Sequence, residues 1–175
     1  MNERRLFLLR HAKSRPAEAA EADFARPLNR RGRDDALRLA QHIAQSAMAP
    51  DCILCSPARR TRETLAPILA AAGWQMPVHH EDGLYLAETE PLIGRLAALP
   101  DACRTVLLVG HNPGLHALAL HLAISGPSAL RARMAAKFPT GALAEILFDR
   151  EPWPAVLAAG GRLVRFIVPR DLPSA

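Results

Sequence analysis

This chain of 175 residues has few aromatic side chains, few cysteines and no long apolar run. Aromatic residues make up 5% of the chain, which argues against a platform on which single-stranded nucleic acid stacks. No run approaches the roughly 18 apolar residues that a membrane-spanning helix needs. Only four apolar residues, Leu6–Leu9, follow the basic N-terminus, so we expect no signal peptide. These absences predict a cytoplasmic protein without a membrane partner.

The three cysteines are typical of a protein from a reducing compartment. Cys52 and Cys55 form a CxxC pair, but they lie within an apparent strand. Because side chains three apart in a strand point to opposite faces, we expect neither a disulfide nor a shared metal ion between them. Both are predicted to be core cysteines, and no metal site is expected here.

What the chain does have is apolar residues, at 50%, and a formal net charge of +5. This length and composition suffice for one good core, so a single domain over residues 1–175 is expected. The positive charge suits an anionic partner: a phosphorylated molecule, an acidic protein surface or nucleic acid. The basic residues are spread along the chain without an RNA-binding motif, so a nucleic-acid-binding domain is a remote alternative.

Strand-like and helix-like segments alternate along the chain. Apolar runs predict strands at Arg5–Leu9, Cys52–Cys55, near Val78 and at Thr105–Val109. Helical spacing and capping residues predict helices after Asn29, after Ser56-Pro57, from about Glu90 to Leu99 and after Asn112-Pro113. Such strand–helix units predict an α/β three-layer sandwich, a mostly parallel central sheet with helices on both faces.

The last part of the chain has a different pattern. Two strands, Ala142–Phe148 and Arg162–Val168, follow each other without a full crossover helix, which predicts an antiparallel addition at one edge. Pro67 is expected to kink or divide its helix, because proline cannot donate a backbone hydrogen bond to the preceding turn. The longest predicted loops are Ala12–Leu28 and Ser125–Thr140, and long loops in compact domains are often functional.

A histidine follows each of two predicted strands. Arg10-His11 follows the first strand, and Gly110-His111-Asn112-Pro113 follows the most apolar one. In an open α/β sheet, ligands bind at the carboxyl ends of the strands. The sequence therefore predicts that both histidines face one ligand site.

Arginines accompany these histidines. Arg10 precedes His11, while Arg59 and Arg60 lie in the first turn of the helix predicted after Ser56-Pro57. A phosphoryl group in transfer spreads negative charge over three oxygens and needs fixed cationic or N–H donors. Arginine supplies a planar, permanently charged fork, and a helix N-terminus adds free N–H groups. Two arginines at a helix start oppose the helix dipole unless an anion binds there, so this pattern favours phosphoryl transfer.

The order and spacing of several motifs carry a family resemblance. They are Arg10-His11 after the first strand, Ser56-Pro-x-x-Arg60-x-x-x-Thr64, Gly110-His111-Asn-Pro, Arg26-Pro-Leu-x-x-Arg-Gly32-x-x-x-Ala36, Leu84-Tyr85 and Phe138-Pro-Thr140. Together they resemble the histidine phosphatase superfamily, with its phosphoglycerate-mutase-like fold, and look like its small bacterial SixA-type phosphohistidine phosphatases. The matches extend from Leu6 to about Thr140. The chain departs from the common Arg-His-Gly motif by having alanine at position 12.

The resemblance implies a role for each matching residue. His11 would be the nucleophile that carries a transient phosphohistidine. Arg10, Arg60, His111 and Asn112 would bind the phosphate, with His111 as a hydrogen-bond donor. The family spacing selects Arg60, four residues after Ser56, and leaves Arg59 as a surface residue or an outer substrate contact. No metal and no organic cofactor are implied, because the arginines supply the positive charge.

Many superfamily members protonate an alcohol leaving group with a carboxylic acid placed after the third strand. Glu81, Asp82, Glu88 and Glu90 lie in this region, but none sits in a recognisable acid motif. The P–N bond of phosphohistidine needs less acid catalysis than an alkyl ester, so the expected substrate is phosphohistidine on a protein. A small-molecule phosphomonoesterase on the same scaffold is the alternative.

Further basic residues are candidates for contacts with an acidic partner surface. They are Lys13, Arg15 and the segment Arg131-Ala-Arg133. Solvated surface charge explains them equally well.

Overall fold

The computed structural model describes residues 3–16 and 22–173. These residues form a seven-stranded sheet in the order β3-β2-β4-β1-β6-β7-β5. The strands are β1 (Arg4–Arg10), β2 (Cys52–Cys55), β3 (Val78–His80), β4 (Thr105–Gly110), β5 (Ala123–Ser125), β6 (Leu143–Phe148) and β7 (Gly161–Ile167). The helices are α1 (Arg30–Ala44), α2 (Arg59–Ala72), α3 (Thr89–Ala97), α4 (Gly114–Leu122), α5 (Ser128–Ala136) and α6 (Trp153–Ala159).

The sheet is mostly parallel, as predicted. Strands β3, β2, β4 and β1 are parallel neighbours, and β5 is parallel to β7. Strand β6 is antiparallel to both β1 and β7. The antiparallel strand therefore lies between β1 and β7, and β7 and β5 extend the sheet beyond it.

Helices cover both faces of the sheet because alternate residues of β1 point to opposite sides. Phe7 and Leu9 belong to a buried cluster with apolar residues of α1 and α2. Leu6 and Leu8 belong to a second cluster with residues of α3, α4, α5 and α6. The predicted three-layer α/β fold is confirmed.

Three elements lie where the sequence predicted loops or a simple connection. Helix α5 occupies most of the predicted loop Ser125–Thr140, and β5 ends at the first residue of that loop. Helix α6 lies between the two closing strands, β6 and β7. Helix α5 has little apolar periodicity, since Met134 is its one buried residue. Helix α6 is held by tertiary contacts of Trp153, whose indole N–H donates to the carbonyl of Cys103 at 2.7 Å. Helix α5 therefore has no strong local signal, whereas α6 has buried Trp153, Val156 and Leu157 at helical spacing but is only seven residues long.

Two helix starts lie later than predicted. Helix α2 begins at Arg59 and not at Pro57. The Ser56 hydroxyl does not cap a helix at Pro57, because it is hydrogen-bonded to His111 Nε2 at 2.7 Å and its contact with the backbone nitrogen of Ala58 is long, at 3.5 Å. Helix α4 begins at Gly114, one residue after Pro113. Helix α2 runs through Pro67 without being divided.

The start of α1 agrees with the prediction and positions the loop after β1. The Asn29 side chain accepts a hydrogen bond from the backbone nitrogen of Gly32 at 2.8 Å, which caps the helix. A Cβ atom at Gly32 would overlap the backbone carbonyl of Lys13, so only glycine permits this close approach. The loop is also tied to α2, since Thr64 Oγ1 accepts from the backbone nitrogen of Ala12 at 2.9 Å.

The cysteine prediction is wrong in one respect. A disulfide joins Cys52 to Cys103, with their Cα atoms 5.6 Å apart. Cys103 precedes β4, the strand that pairs with β2, so the tertiary fold brings together two cysteines that are 51 residues apart in sequence. Cys55 is buried and has a free thiol, and burial raises its pKa to about 12, so it is a core cysteine as predicted. No bond joins Cys52 to Cys55.

Within residues 3–16 and 22–173, no helix is long and apolar enough to cross a membrane.

Candidate active site

Three adjacent parallel strands deliver the site residues to one edge of the sheet. His11 follows β1, His111 follows β4 and Ser56 follows β2, and β4 lies between the other two strands. The imidazole rings of His11 and His111 have their centroids 5.2 Å apart. The structure thus brings together two histidines that lie a hundred residues apart in sequence.

The hydrogen bond of His11 determines which ring nitrogen is free. His11 Nδ1 lies 2.7 Å from the backbone carbonyl oxygen of Ala12. Because a carbonyl oxygen only accepts, Nδ1 carries the proton and donates to it. Nε2 of the neutral ring therefore keeps its lone pair, which is the form that a nucleophilic imidazole requires.

The surroundings of His11 keep its ring neutral. The residue is 7% exposed, and burial is the main cause that lowers its pKa, to about 4. The hydrogen bond to Ala12 opposes this effect, while the positive charges of Arg60, Arg10 and Arg26 add to it. An uncharged nucleophile is thus available throughout the neutral range.

We predict that the His11 ring titrates with a midpoint near pH 4, below the value of about 6.5 for a solvated histidine. As the pH falls from 7 to 5 the ring stays neutral, so phosphoenzyme formation should lose no nucleophile. Protonation should remove the nucleophile only near pH 4. An NMR titration of the ring protons, with the His11→Gln variant to assign the signal, measures this midpoint. A midpoint near 6.5 would contradict the prediction.

Both ring nitrogens of His111 are hydrogen-bonded. Its Nδ1 lies 3.3 Å from Arg60 Nη2, and its Nε2 lies 2.7 Å from Ser56 Oγ. An arginine N–H only donates, so Nδ1 accepts and Nε2–H donates to the hydroxyl. Burial first, then the charge that His11 gains in acid and the charge of Arg60, lower the His111 pKa to about 3, so this ring is also neutral at neutral pH.

This tautomer bears on the implied donor role of His111. Donation toward an anion beside Arg60 requires the proton on Nδ1 instead of Nε2. The Ser56 hydroxyl permits that change, because a hydroxyl both donates and accepts and can then donate to Nε2. Ser56, expected from the sequence to cap a helix, is therefore a hydrogen-bond partner of His111.

Arg60 lies inside the site and Arg59 lies on the surface. Arg60 is 1% exposed, and its guanidinium donates to the backbone oxygen of Asp23 at 2.6 Å and to Asp23 Oδ2 at 2.9 Å. The side chain of Arg59 is 52% exposed and pairs with Glu63 at 2.6 Å. The structure therefore places Arg60 in the cavity lining and Arg59 at the surface, and the phosphate-binding role of Arg60 stays a prediction.

Arg10 and Asn112 are held by the same carbonyl group. The backbone oxygen of Phe138 accepts from Arg10 Nη1 at 2.8 Å and from Asn112 Nδ2 at 2.9 Å. Arg10 Nε and Asn112 Oδ1 are buried and have no hydrogen-bond partner among the described residues. The Phe138-Pro-Thr140 motif thus places one carbonyl where it orients two predicted phosphate-binding residues.

Asp23 is a site residue that none of the sequence motifs contains. Its carboxylate accepts from Arg60, from Arg26 at 2.9 Å and from the Tyr85 hydroxyl at 2.5 Å. Burial alone would raise the pKa of Asp23, but the Tyr85 hydrogen bond and the charges of Arg60 and Arg26 outweigh it and lower the pKa. The one signal in the sequence is Arg26, three residues later, which belongs to the Arg26-Pro-Leu motif and pairs with Asp23.

A cavity of about 500 Å³ at the carboxyl edge of the sheet is lined by the two histidines and four of their neighbours, His11, His111, Arg10, Arg60, Asn112 and Asp23. Among its described lining residues Asp23 is the sole acid. Glu81 instead forms two hydrogen bonds with Arg95, at 2.7 and 2.8 Å, and Asp82, Glu88 and Glu90 are exposed outside the cavity. None of the four carboxylates that follow the third strand in sequence lines the cavity.

The remaining basic candidates divide into two groups. Lys13 and Arg15 line the cavity. Arg131 and Arg133 lie on α5, outside the cavity, where Arg131 donates to the carbonyl of Ala123 at 3.2 Å and Arg133 pairs with Asp171. Among the residues described, no cluster of three or more histidine, cysteine or acidic side chains could hold a metal ion.

Comparison with known proteins gives the family. Residues 6–90 match the histidine phosphatase superfamily, branch 1. The Agrobacterium tumefaciens protein assigned as a SixA phosphohistidine phosphatase is 33% identical, with a TM-score of 0.78 over 94% of this chain and 97% of that one. This chain belongs to the histidine phosphatase superfamily. Within it, the chain is of the SixA type, and it is a phosphatase that acts on a phosphorylated substrate.

Other relatives agree over nearly the whole chain. The Nakamurella multipartitia protein assigned as SixA is 30% identical, with a TM-score of 0.78 over 95% of this chain and 96% of that one. An uncharacterized protein of Mycobacterium tuberculosis H37Rv is 38% identical over 164 residues, which are 93% of this chain and all of that protein. A SixA structure complexed with tungstate is 21% identical and shares the fold, with a TM-score of 0.76 over 95% of this chain and 98% of that one.

Proposed function

We propose that this phosphatase hydrolyses phosphohistidine on a protein partner through a transient phosphohistidine at His11. The observation that carries the proposal is the buried, neutral His11, whose Nδ1 donates to Ala12 and whose Nε2 lone pair is free beside three arginines. Nε2 attacks phosphorus as the P–N bond of the substrate breaks, and the substrate ring, which is protonated on its other nitrogen, departs as neutral imidazole. Water then attacks the phosphorus on His11, which releases inorganic phosphate.

The positive charge for this transfer comes from the protein. Arg10 and Arg60 supply guanidinium donors, Asn112 supplies an amide, and His111 donates once its proton lies on Nδ1. Such preorganised donors stabilise the equatorial oxygens during transfer. We propose that the reaction therefore needs neither a metal ion nor an organic cofactor.

The lack of a proton donor favours a P–N over a P–O bond. Asp23, the acid among the described lining residues, is ionised because two arginines and Tyr85 stabilise its carboxylate. An alkoxide leaves poorly unless it is protonated, whereas imidazole is a much better leaving group. A site without an available acid suits phosphohistidine better than an alkyl phosphate.

The lip of the cavity is apolar on one side. Leu86 is 47% exposed there and has a positive φ of 50°, a conformation that costs free energy for a non-glycine residue. Phe24 packs edge-on against Tyr85, with ring centroids 5.1 Å apart, and Tyr85 packs against His111 at 5.5 Å. An imidazole leaving group fits such a surface better than a sugar does.

A small-molecule phosphomonoesterase is the second candidate. The observation in its favour is the cavity of about 500 Å³, which lies within the range of about 300–1,000 Å³ that small ligands occupy. The cytoplasmic location, the single domain over residues 1–175 and the lack of a nucleic-acid partner stay predictions.

One side-by-side assay tests the proposal. Phosphate release is measured from a histidine-phosphorylated protein, from p-nitrophenyl phosphate and from a sugar phosphate, with His11→Ala as the control. The expected order of kcat/KM is phosphohistidine first, then p-nitrophenyl phosphate with its good leaving group, then the sugar phosphate. If the sugar phosphate were the best substrate, the phosphomonoesterase would replace the proposed function.

We predict that the amide variants Glu81→Gln, Asp82→Asn and Glu88→Gln hydrolyse phosphohistidine at rates within a few-fold of the wild type. Glu81 is engaged by Arg95 and the other two carboxylates are exposed, so none of them can protonate a leaving group in the cavity. General acid catalysis contributes about 10²–10⁴-fold, so the rates distinguish the two cases clearly. A loss of that size in any one variant, for both phosphohistidine and esters, would identify an acid.

A further inference from the structure

A second groove opens beside the active-site cavity, between α1 and α2. It has a volume of about 570 Å³, similar to that of the active-site cavity. Its floor consists of apolar side chains from both helices, Ala36, Leu37, Ala66 and Pro67. Leu37 is 49% exposed on α1, although its neighbours Ala36 and Leu39 are buried in the core. An exposed leucine within a concave apolar floor is typical of a binding surface.

The rim of this groove is positively charged. Arg15, Arg33 and Arg59 line it, together with a single acid, Glu63. Glu63 pairs with Arg59, so that arginine is neutralised. Arg33 donates to the backbone carbonyl of Leu28 at 2.8 Å and forms no ion pair within the described part of the chain. The net charge of the rim favours carboxylates on a partner.

Arg15 connects the groove to the site of chemistry. It lines both the α1–α2 groove and the cavity that contains His11. Its backbone nitrogen donates to the carbonyl of Pro27 at 3.0 Å, which holds the loop after β1 against the segment that leads into α1. A partner segment bound in the groove would therefore contact Arg15 and extend from there into the cavity that contains His11.

We propose that the α1–α2 groove docks an acidic segment of the phosphohistidine protein, with one apolar side chain against Leu37 and carboxylates on Arg33 and Arg15. This docking rests on the proposed function. It assigns substrate selection to a surface outside the phosphate pocket. Small phosphorylated molecules reach His11 without touching this surface.

Two phosphohistidine peptides test the docking surface. Both are phosphorylated with phosphoramidate; one has leucine and glutamates flanking the histidine, and the other has lysines in place of the glutamates. We expect the wild type to prefer the acidic peptide by about tenfold in kcat/KM, mainly through KM. Arg33→Glu should bring this preference to about one or invert it, and Leu37→Asp should weaken binding of both peptides. Added salt should weaken the wild-type preference, because these charges are exposed.

Matched controls separate docking from catalysis. Arg104→Glu and Leu120→Asp make the same changes at exposed positions outside the groove and should keep the wild-type preference. Phosphoimidazole, which is too small to touch the groove, should be hydrolysed equally by all variants. An Arg33→Glu variant with an unchanged preference, or with equal losses on phosphoimidazole and peptides, would overturn the docking. If the wild type hydrolysed esters but no phosphohistidine peptide, the proposed function and the docking would both fail.

Discussion

The His11→Ala variant is expected to lose all measurable turnover and to form no acid-labile phosphoenzyme. Alanine has no lone pair to attack phosphorus, and among the described lining residues the other imidazole belongs to His111, whose two nitrogens are held by Arg60 and Ser56. Rapid acid-free quenching with radiolabelled substrate, followed by gel analysis, measures the phosphoenzyme. Steady-state phosphate release measures turnover.

A matched control shows that the loss is chemical. His121 is exposed on α4, so His121→Ala should retain both turnover and the phosphoenzyme. Circular dichroism and the thermal midpoint should show that His11→Ala is folded, since the imidazole leaves only a small cavity. Turnover by folded His11→Ala at the wild-type rate would show that another group is the nucleophile.

The second large effect is expected at Arg60. Arg60→Ala should lower kcat/KM by about a hundredfold, because removing a charge-assisted donor to a transition-state oxyanion costs about 3 kcal/mol. Arg59→Ala should cost less than about 0.5 kcal/mol, because Arg59 is solvated and paired with Glu63. Kinetics of the two neighbouring variants on one substrate measure the difference. A larger loss in Arg59→Ala would mean that the register taken from Ser56-Pro57 is wrong.

Arg60 also holds Asp23 in place, so a second variant is needed to separate the two roles of Arg60. Its removal leaves Asp23 with Arg26 and Tyr85 as partners, so part of the loss comes from a rearranged carboxylate. Arg60→Lys keeps the charge but loses the fork that binds Asp23 through two groups. We expect it to recover only part of the activity. Recovery to the wild-type rate would show that Arg60 acts as a point charge alone.

Much of the architecture follows from local sequence signals. Apolar runs predicted β1, β2, β3 and β4, and Asn29 predicted the start of α1, because a buried strand and a helix cap depend on neighbouring residues. The strand ends then placed the two histidines at one edge of the sheet. Motif spacing selected Arg60 over Arg59. Such spacing predicts where a residue lies in the fold, but it does not predict which side chains that residue contacts.

What only the tertiary structure decided involves partners far apart in sequence. Asp23 is 37 residues from Arg60 and 62 from Tyr85, and Cys52 is 51 residues from Cys103. Helices α5 and α6 have nine and seven residues, and packing against the sheet stabilises such short helices, which would be marginal alone. The periodicity of a sequence reports only which face of an element is buried. Which side chain from a distant element contacts that face depends on the tertiary fold. Here the fold brings Asp23 into hydrogen-bonding distance of Arg60, and Ser56 into hydrogen-bonding distance of His111.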